Sequence, residues 1–383
     1  MRRIILDHLF EKAEKARQSS DFGDARKTYR EILQKSSTPQ DQAEALLGLA
    51  DVERIMGYFT ESMSHYKKAE RFIRILDPVS MTDAQMGWAL AARAIGRPTE
   101  ALRELKKALA FYKRQKDRQG EAFAHWALGG TFRISGDMKR GLKELQTAFR
   151  IFKTLEDPEG VSYSCCALGG IFRMLGRYAE SGRYYREANR RMRQRKDTFG
   201  IAYSYCGLGN VQRMAGHFKQ ALPFYQKAEK LYGTIGDRVS YAYTLWSIGT
   251  THKMLGQHTQ AWSAFQKADI LFKKTGDTRG RIYTLLGFAE VEWLKDFRRG
   301  DTEVPFAQGK RVNGALGRDK SRPYKAKGTI YWKLAKQIAD RSKFAWEKLH
   351  VEALKGGRVN LLASRYKKAG SKFYPTSLPI NWP

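Results

Sequence analysis

Cysteine, long apolar runs and acidic residues are all scarce in this chain of 383 residues. The three cysteines, Cys165, Cys166 and Cys206, form no CxxC pair, and so low a count is typical of reduced thiols in a cytosolic protein. No apolar run approaches the roughly 18 residues that a membrane-spanning helix needs. Asp7 and His8 interrupt the apolar start too early for a secretion signal. We therefore expect a cytoplasmic protein without a transmembrane segment.

The motifs of the common enzyme classes are absent as well. The sequence has no P-loop, no GxSxG elbow, no HExxH pair and no dinucleotide fingerprint. Its seven histidines are scattered, and Cys166 and Cys206 lack the further ligands that would complete a metal site. We expect no enzymatic activity, no cofactor and no bound metal.

The excess of basic over acidic residues is the strongest feature of the composition. With 70 Lys and Arg against 39 Asp and Glu, the formal net charge is +31. Residues 296–383 hold 20 of these bases and 7 of the acids, so more than half of the excess lies in residues 1–295. The electric field of so basic a protein attracts nucleic acid, anionic membranes or acidic protein segments, and net charge alone does not tell which of these is the partner.

Two ladders of residues recur about every forty positions. The first consists of the aspartates Asp77, Asp117, Asp157, Asp197, Asp237 and Asp277. The second keeps the same step to within one residue and consists of Gly57, Gly96, Gly136, Gly176, Gly216 and Gly256. Forty residues is the length of one supersecondary unit, so the pattern predicts an array of repeats rather than a globular enzyme.

Each repeat is predicted to be an antiparallel pair of helices. Apolar residues recur at helical spacing on both sides of the turn glycine, and the aspartate caps the helix that follows it. In the first unit, Ser20 takes the place of the turn glycine. We expect an eighth first helix at about 279–296, after seven pairs at about 3–36, 41–76, 80–116, 119–156, 159–196, 199–236 and 239–275.

One family has this pattern of small and aromatic residues. The unit at 208–228 shows it best, with Leu208, Gly209, Gly216, Phe218, Ala221, Tyr225 and Ala228. These residues resemble the tetratricopeptide repeat, and the forty-residue period is similar to the branch that includes kinesin light chain and Pins-type scaffolds. The resemblance implies an all-α, right-handed superhelical solenoid over residues 1–298. It also implies a concave groove, lined by the first helices, that binds extended peptides.

The C-terminal part departs from the repeat. Residues 299–328 are basic and rich in glycine and proline, which predicts a loop or a disordered insertion. Residues 329–355 are predicted to form capping helices, and residues 356–383 an extended, basic, proline-containing tail. A regulatory hypothesis is that residues 299–328 or the tail fold into the groove in place of a ligand.

A base stands three residues before each turn position on the first helix. This basic ladder consists of Arg17, Arg54, Arg93, Arg133, Arg173, Arg213 and Lys253. One interpretation is structural, because a cation near a helix C-terminus offsets the macrodipole by about 0.3–1 kcal/mol. The other is functional, because arginine suits carboxylates and phosphates better than lysine does. On the second interpretation, the ladder binds an extended acidic segment of another protein.

Aromatic and small residues share the predicted groove face with the basic ladder. Residues separated by three, four and three positions lie on one face of a helix. The candidate groove residues that this spacing places on the same face as the bases are Phe123, Trp126, Tyr163, Tyr203, Asn210, Tyr243 and Trp246. The tyrosines serve either packing or ligand stacking, and the two tryptophans are the better candidates for ligand anchors.

A second candidate site is a run of bases on one second helix. It consists of Arg183, Arg186, Arg190, Arg191, Arg193, Arg195 and Lys196, with Glu187 as the only acid among them. A solvated helix face is one interpretation, and a polyanion-binding patch is the other. The leading functional hypothesis is a scaffold that binds acidic peptides within a larger complex. The alternative is a nucleic-acid-binding or ribonucleoprotein component.

Overall fold

The computed structural model describes residues 2–73, 78–300, 326–342, 344–356 and 359–371. These ranges contain eighteen α-helices and no strand. The first helices of the repeats are α1 Arg2–Gln18, α3 Pro39–Met56, α5 Pro78–Ala94, α7 Arg118–Ile134, α9 Pro158–Met174, α11 Thr198–Met214, α13 Arg238–Met254 and α15 Thr278–Gly300. The second helices are α2 Phe22–Lys35, α4 Phe59–Ile73, α6 Pro98–Gln115, α8 Met138–Thr154, α10 Tyr178–Gln194, α12 Phe218–Ile235 and α14 His258–Thr275. The seven predicted pairs are confirmed.

The aspartate ladder marks the beginnings of the first helices. The Asp117 carboxylate accepts from the Gly120 amide at 2.9 Å, and Asp197 and Asp277 accept equivalent bonds at 2.8 Å. Each such cap contributes about 1 kcal/mol, because it satisfies an amide that has no partner within the helix. Asp77 lies outside the described residues.

The turn positions require the left-handed backbone conformation. The six glycines of the second ladder all have positive φ, between 72° and 88°. Ser20 has φ 64° and takes the same place in the first unit, as predicted. Away from the turns, glycine allows close helix approach: a Cβ on Gly209 would lie 2.6 Å from the Tyr225 ring.

The first helices line the inside of the solenoid. From α3 to α15, each first helix contacts the next first helix as well as its own partner helix. Contacts also join units five repeats apart. Arg238, at the start of α13, donates to the Tyr58 hydroxyl beside α4 at 2.6 Å, and Phe22 packs edge-on against Phe199. Pairs one and two therefore touch pairs six and seven, and the solenoid encloses a narrow interior.

The C-terminal helices extend the array. Helix α16, Ala326–Arg341, packs on α15 as the second helix of an eighth pair, and α17, Ala345–Gly356, follows it. The Tyr243 hydroxyl donates to Asp277, 34 residues ahead, whereas that of Tyr283 donates to Glu347, 64 residues ahead. Glu347 therefore takes the place of a ladder aspartate after 30 additional residues.

Two predicted boundaries in this part need correction. Helix α15 continues to Gly300, whereas its end was expected near 296; most of the expected 299–328 insertion, residues 301–325, lies outside the described residues. The extended tail predicted from residue 356 is wrong for Val359–Lys368, which form α18. This stretch contains no proline or glycine, and Tyr366 is buried with its hydroxyl 2.9 Å from His350 Nε2. The last described residue of the tail is Ser371.

Candidate functional site

The basic ladder follows the C-terminal ends of the first helices, and at the ends of the array its bases are paired with acids. Arg17 forms an ion pair with Glu14 at 2.7 Å, and Arg54 with Asp51 at 3.0 Å. In both cases the acid lies three residues earlier on the same helix.

Lys253, near the C-terminal end of the array, pairs with an acid of the next first helix. Its Nζ lies 2.9 Å from the Glu290 carboxylate, and both side chains are fully buried. Burial lowers the pKa of Lys253, and Glu290 opposes that shift. Lys253 was predicted to contact a ligand, but here it joins α13 to α15 and has no face turned to solvent.

Arg213 is fully buried and is held by neutral groups. Its Nε donates to the Tyr225 hydroxyl at 3.3 Å and its Nη2 to Asn210 Oδ1 at 3.2 Å. The guanidinium also lies over the Trp246 ring, 5.5 Å from its centroid. Asn210 further accepts from Ser247 of α13 at 3.1 Å. The predicted groove residues Asn210 and Arg213 therefore form a packed network between α11, α12 and α13.

The three middle bases, Arg93, Arg133 and Arg173, differ from the others, and we call them the arginine trio. None of them forms an ion pair with a carboxylate in the described part of the chain. Arg93 donates only to neutral oxygens, Ala127 O at 3.2 Å and Thr131 Oγ1 at 3.3 Å. The Nε and Nη1 atoms of Arg173 are shielded from solvent and have no hydrogen-bond partner among the described residues.

The charges of the arginine trio disfavour one another. Burial, followed by the charges of Arg133 and Arg54, lowers the pKa of Arg93 to about 9. Burial also lowers the pKa of Arg133; Tyr203 opposes this shift, and Arg279 and Arg173 add to it. Arg279 lies at the start of α15, several repeats after Arg133. The narrow interior therefore brings bases of distant repeats close enough for their charges to interact. Among the described residues, the middle of the solenoid is thus positively charged on the inside, and no acid compensates the arginine trio.

A column of residues three positions before each ladder position distinguishes the N-terminal end from the middle; the eighth ladder position holds Trp293 in place of a base. This partner column reads Glu14, Asp51, Leu90, Gly130, Gly170, Asn210, Thr250 and Glu290. It is acidic before Arg17 and Arg54, leucine or glycine before the arginine trio, and polar but uncharged before Arg213 and Lys253. Its last member, Glu290, pairs with Lys253 of the preceding repeat. At Gly130 a Cβ would lie 2.8 Å from Arg93 Nη1, so the missing side chain leaves room for that guanidinium. This alternation was present in the sequence, and the sequence analysis missed it.

The aromatic candidates divide into accessible and buried residues. Phe123 is 39% exposed and stacks on Trp126, with ring centroids 5.6 Å apart. Trp246, by contrast, is 6% exposed and packs against Tyr283. Of the two predicted tryptophan anchors, only Trp126 keeps a partly exposed ring.

The three candidate tyrosines are half-buried and take part in packing between repeats. Tyr163 donates to the Asp197 carboxylate at 2.9 Å, and Tyr243 donates to Asp277 at 3.2 Å. Tyr203 stacks on the ring of Phe199. Two of the three therefore hold a helix-capping aspartate of the next unit.

The second candidate site, on α10, is exposed on the outside of the solenoid. Glu187 pairs with Arg190 at 2.8 Å and with Arg191 at 2.6 Å. The hydrogen bond from Arg190, with that from Arg191, lowers the pKa of Glu187 to about 2. Arg195, just after α10, reaches Glu159 at the start of the same helix pair at 2.7 Å. The other members, Arg183, Arg186, Arg193 and Lys196, are exposed and have no carboxylate partner in the described ranges.

The described residues form neither a metal-binding cluster nor a membrane-spanning helix. No group of three or more His, Cys, Asp or Glu side chains is placed to hold a metal ion. None of the described helices combines the length and the apolar character that crossing a bilayer would require.

The comparisons with known proteins agree with this architecture. The tetratricopeptide repeat family model matches residues 161–234, which confirms the resemblance stated from the sequence. No curated protein sequence matches the chain.

Solved structures resemble the whole solenoid. A Rap protein complexed with competence and sporulation factor has 12% identity and a TM-score of 0.58, over 95% of this chain and 96% of its own. The Rap conjugation gene regulator of plasmid pLS20, in complex with the Phr* peptide, has 11% identity and a TM-score of 0.59, over 88% and 97%. The apo form of RapI has 15% identity and a TM-score of 0.53, over 70% and 98%. At these identities the likeness establishes the fold alone, a tetratricopeptide-like helical solenoid.

Proposed function

We propose that this protein is a non-enzymatic interaction scaffold whose concave face binds an extended acidic segment of another protein within a larger complex. The observation that carries the proposal is the arginine trio, because three neighbouring repeats keep their bases and lack the acids that pair with those bases elsewhere. Half-buried cations without a counter-charge are unfavourable, and a ligand carboxylate would relieve that cost.

The spacing of the trio suits an extended peptide. Packed helices lie about 8–10 Å apart, and an extended chain rises about 3.3 Å per residue. One base per repeat therefore meets about every third ligand residue. Charge-assisted hydrogen bonds from arginine to carboxylate would supply the affinity, with Phe123 and Trp126 as the accessible aromatic surface beside them. The complex of a structural neighbour with the Phr* peptide is compatible with this proposal.

The test uses two designed probes of equal length. We expect a fluorescein-labelled (Asp-Gly-Gly)4 peptide to bind the full chain and the matched (Asn-Gly-Gly)4 peptide to bind at least tenfold more weakly, as measured by fluorescence anisotropy. The variant Arg93→Gln/Arg133→Gln/Arg173→Gln should lose this preference.

The matched control removes the same charge from the outside of the solenoid. Arg183→Gln/Arg186→Gln/Arg193→Gln lowers the net charge equally and should retain the preference for the aspartate peptide. If both triple variants kept their helicity and lost the preference for the aspartate peptide to the same extent, only net charge would matter, and the groove assignment would be overturned.

A further inference from the structure

The outer surfaces of α6, α8 and α10 carry bases at the same positions of the repeat. Positions i, i+3, i+7 and i+10 lie on one face of a helix. On these three helices that face holds Arg103, Lys106, Lys113, Lys143, Arg150, Lys153, Arg183, Arg186, Arg190 and Arg193, and all ten are exposed. We call this surface the outer basic face. The outer basic face thus includes the run of bases on α10 and extends over α6 and α8, the second helices of the two preceding repeats.

Towards the C-terminus, the outer basic face ends with α10. The corresponding positions of α12 are Pro223, Gln226, Lys230 and Gly233, and those of α14 are Ser263, Gln266, Ile270 and Lys273. Each of those helices therefore offers one base where α10 offers four. Two columns run through all three helices at steps of forty residues, Arg103–Lys143–Arg183 and Lys113–Lys153–Arg193.

Acids compensate only a minority of the outer basic face. Arg103 pairs with Glu104 at 2.8 Å, Arg190 with Glu187 at 2.8 Å, and Lys113 approaches Glu121 at 4.0 Å. The seven that form no ion pair with a carboxylate in the described residues are Lys106, Lys143, Arg150, Lys153, Arg183, Arg186 and Arg193. A solvated helix face needs no such imbalance, and its field attracts an extended anion.

The chemistry of this face favours the backbone of a nucleic-acid duplex. Binding single strands without sequence preference uses aromatic side chains as stacking platforms. Here Phe123 is the only aromatic among the exposed large apolar residues of the described chain, and it lies on α7 rather than on these three helices. A duplex instead presents one phosphate charge per about 1.7 Å of its axis, and lysine and arginine suffice to hold it.

We propose that the outer basic face binds double-stranded nucleic acid through its phosphates, without base preference, on the side of the solenoid opposite to the concave face. The protein would then link an acidic protein segment to a nucleic-acid duplex. This surface shares no residue with the arginine trio, so the inference stands independently of the function proposed for the concave face.

The probe for this proposal is a fluorescein-labelled DNA duplex of mixed sequence, titrated with the full chain between about 50 and 300 mM KCl. Seven uncompensated bases predict that log K falls against log salt with a slope of about −6, because each neutralised phosphate contributes about −0.9. The variant Arg183→Gln/Arg186→Gln/Arg193→Gln should reduce the magnitude of this slope by about 3.

The control variant for the duplex titration is Arg93→Gln/Arg133→Gln/Arg173→Gln, which removes the same charge from the interior. Its slope should equal that of the unaltered protein. A slope near zero in the unaltered protein would overturn the proposal. An equal reduction of the slope in both triple variants would overturn it as well. Tighter binding of the unpaired single strand would overturn it in favour of base stacking. Binding to phosphatidylserine vesicles in place of the duplex would overturn it in favour of a membrane surface.

Discussion

The end repeats and the middle repeats of this solenoid have the same backbone but use their ladder bases differently. Arg54 and Lys253 each reach a carboxylate within the chain, whereas Arg93, Arg133 and Arg173 reach none in the described residues. The bases themselves are almost invariant along the array, and their neighbours change: Asp51 stands three positions before Arg54, and Glu290 of the next first helix lies beside Lys253. The residue beside a ladder base therefore decides what that base does. A base paired with an acid holds helices together, and a base without such a partner is available to a ligand.

The largest expected effect concerns the paired end. In Glu290→Ala, the buried Lys253 ammonium loses its counter-charge, which should lower the free energy of unfolding by about 3–5 kcal/mol. Urea denaturation followed by circular dichroism measures this loss. The double variant Lys253→Met/Glu290→Leu should recover most of the stability, because it leaves no unpaired charge. If Glu290→Ala cost less than about 1 kcal/mol, the pair would not be a structural device.

Acidification should weaken the C-terminal end more than the middle. Burial, together with the charge of Arg279, lowers the pKa of His350 to about 4, while Glu347 opposes the shift. Tyr283 and Tyr366 are the other titratable groups in contact with this ring. An undocked His350 takes up a proton near its ordinary pKa of about 6.5. The free energy that favours docking of α17 and α18 therefore has its full value above that pH, and it falls by about 2 kcal/mol by pH 5.

Hydrogen exchange of α17 and α18 at pH 7 and pH 5 measures this effect. The amides of α7 and α9 serve as the internal reference, and His350→Gln should remove most of the difference. Equal changes in protection at both places would contradict the assignment to His350.

A third change converts a middle repeat into an end repeat. In Gly170→Asp, the new carboxylate stands three residues before Arg173, as Asp51 does before Arg54, and it should occupy that guanidinium. We expect the affinity for the (Asp-Gly-Gly)4 peptide to fall about tenfold, or about 1.4 kcal/mol. The control is Gly170→Asn, which has the same size without the charge and meets the same Tyr185 hydroxyl, 3.3 Å from the added Cβ. Equal affinities of the Asp and Asn variants would contradict the role of Arg173.

The smallest expected effect is the reverse conversion of an end repeat. Asp51→Asn removes the negative charge beside Arg54 and keeps an oxygen that can accept from the Tyr66 hydroxyl. The freed Arg54 would extend the arginine trio by one repeat, so the affinity for the same peptide should rise about two- to fivefold. Isothermal titration calorimetry can measure this difference in affinity, and Asp24→Asn, at a partly exposed position on α2, is a control with the same change of charge. A gain of the same size in that control would assign the effect to net charge.

Much of the fold could be predicted because its interactions are local. The aspartate caps, the turn glycines and the small residues opposite Leu145, Tyr185, Tyr225 and Phe265 all contact groups within about one repeat. The site was predicted less completely. From the sequence, Arg93, Arg133 and Arg173 were predicted to be groove bases together with Arg213 and Lys253, but the last two are fully buried. The partner column would have separated the two groups, since it holds leucine or glycine before the trio but Asn210 and Thr250 before the two buried bases.

The contacts between distant repeats could not be predicted from the periodic pattern. Arg238 and Tyr58 are 180 residues apart, and Ser371 donates to the carbonyl of Met174 across 197 residues. The rotation from one repeat to the next decides which units meet, and small changes in each rotation accumulate along the array. The same accumulation brings Arg279 near Arg133 and narrows the interior.

The sequence by itself determined the helix pairs, their caps, their turns and the placement of one base per repeat, because each of these depends on residues within one forty-residue unit. Only the tertiary structure decided that Lys253 pairs with Glu290, that Arg213 and Lys253 are buried, and that the arginine trio has no counter-charge among the described residues. Those outcomes depend on how neighbouring units pack and on how far the superhelix closes, and they are set by the whole array.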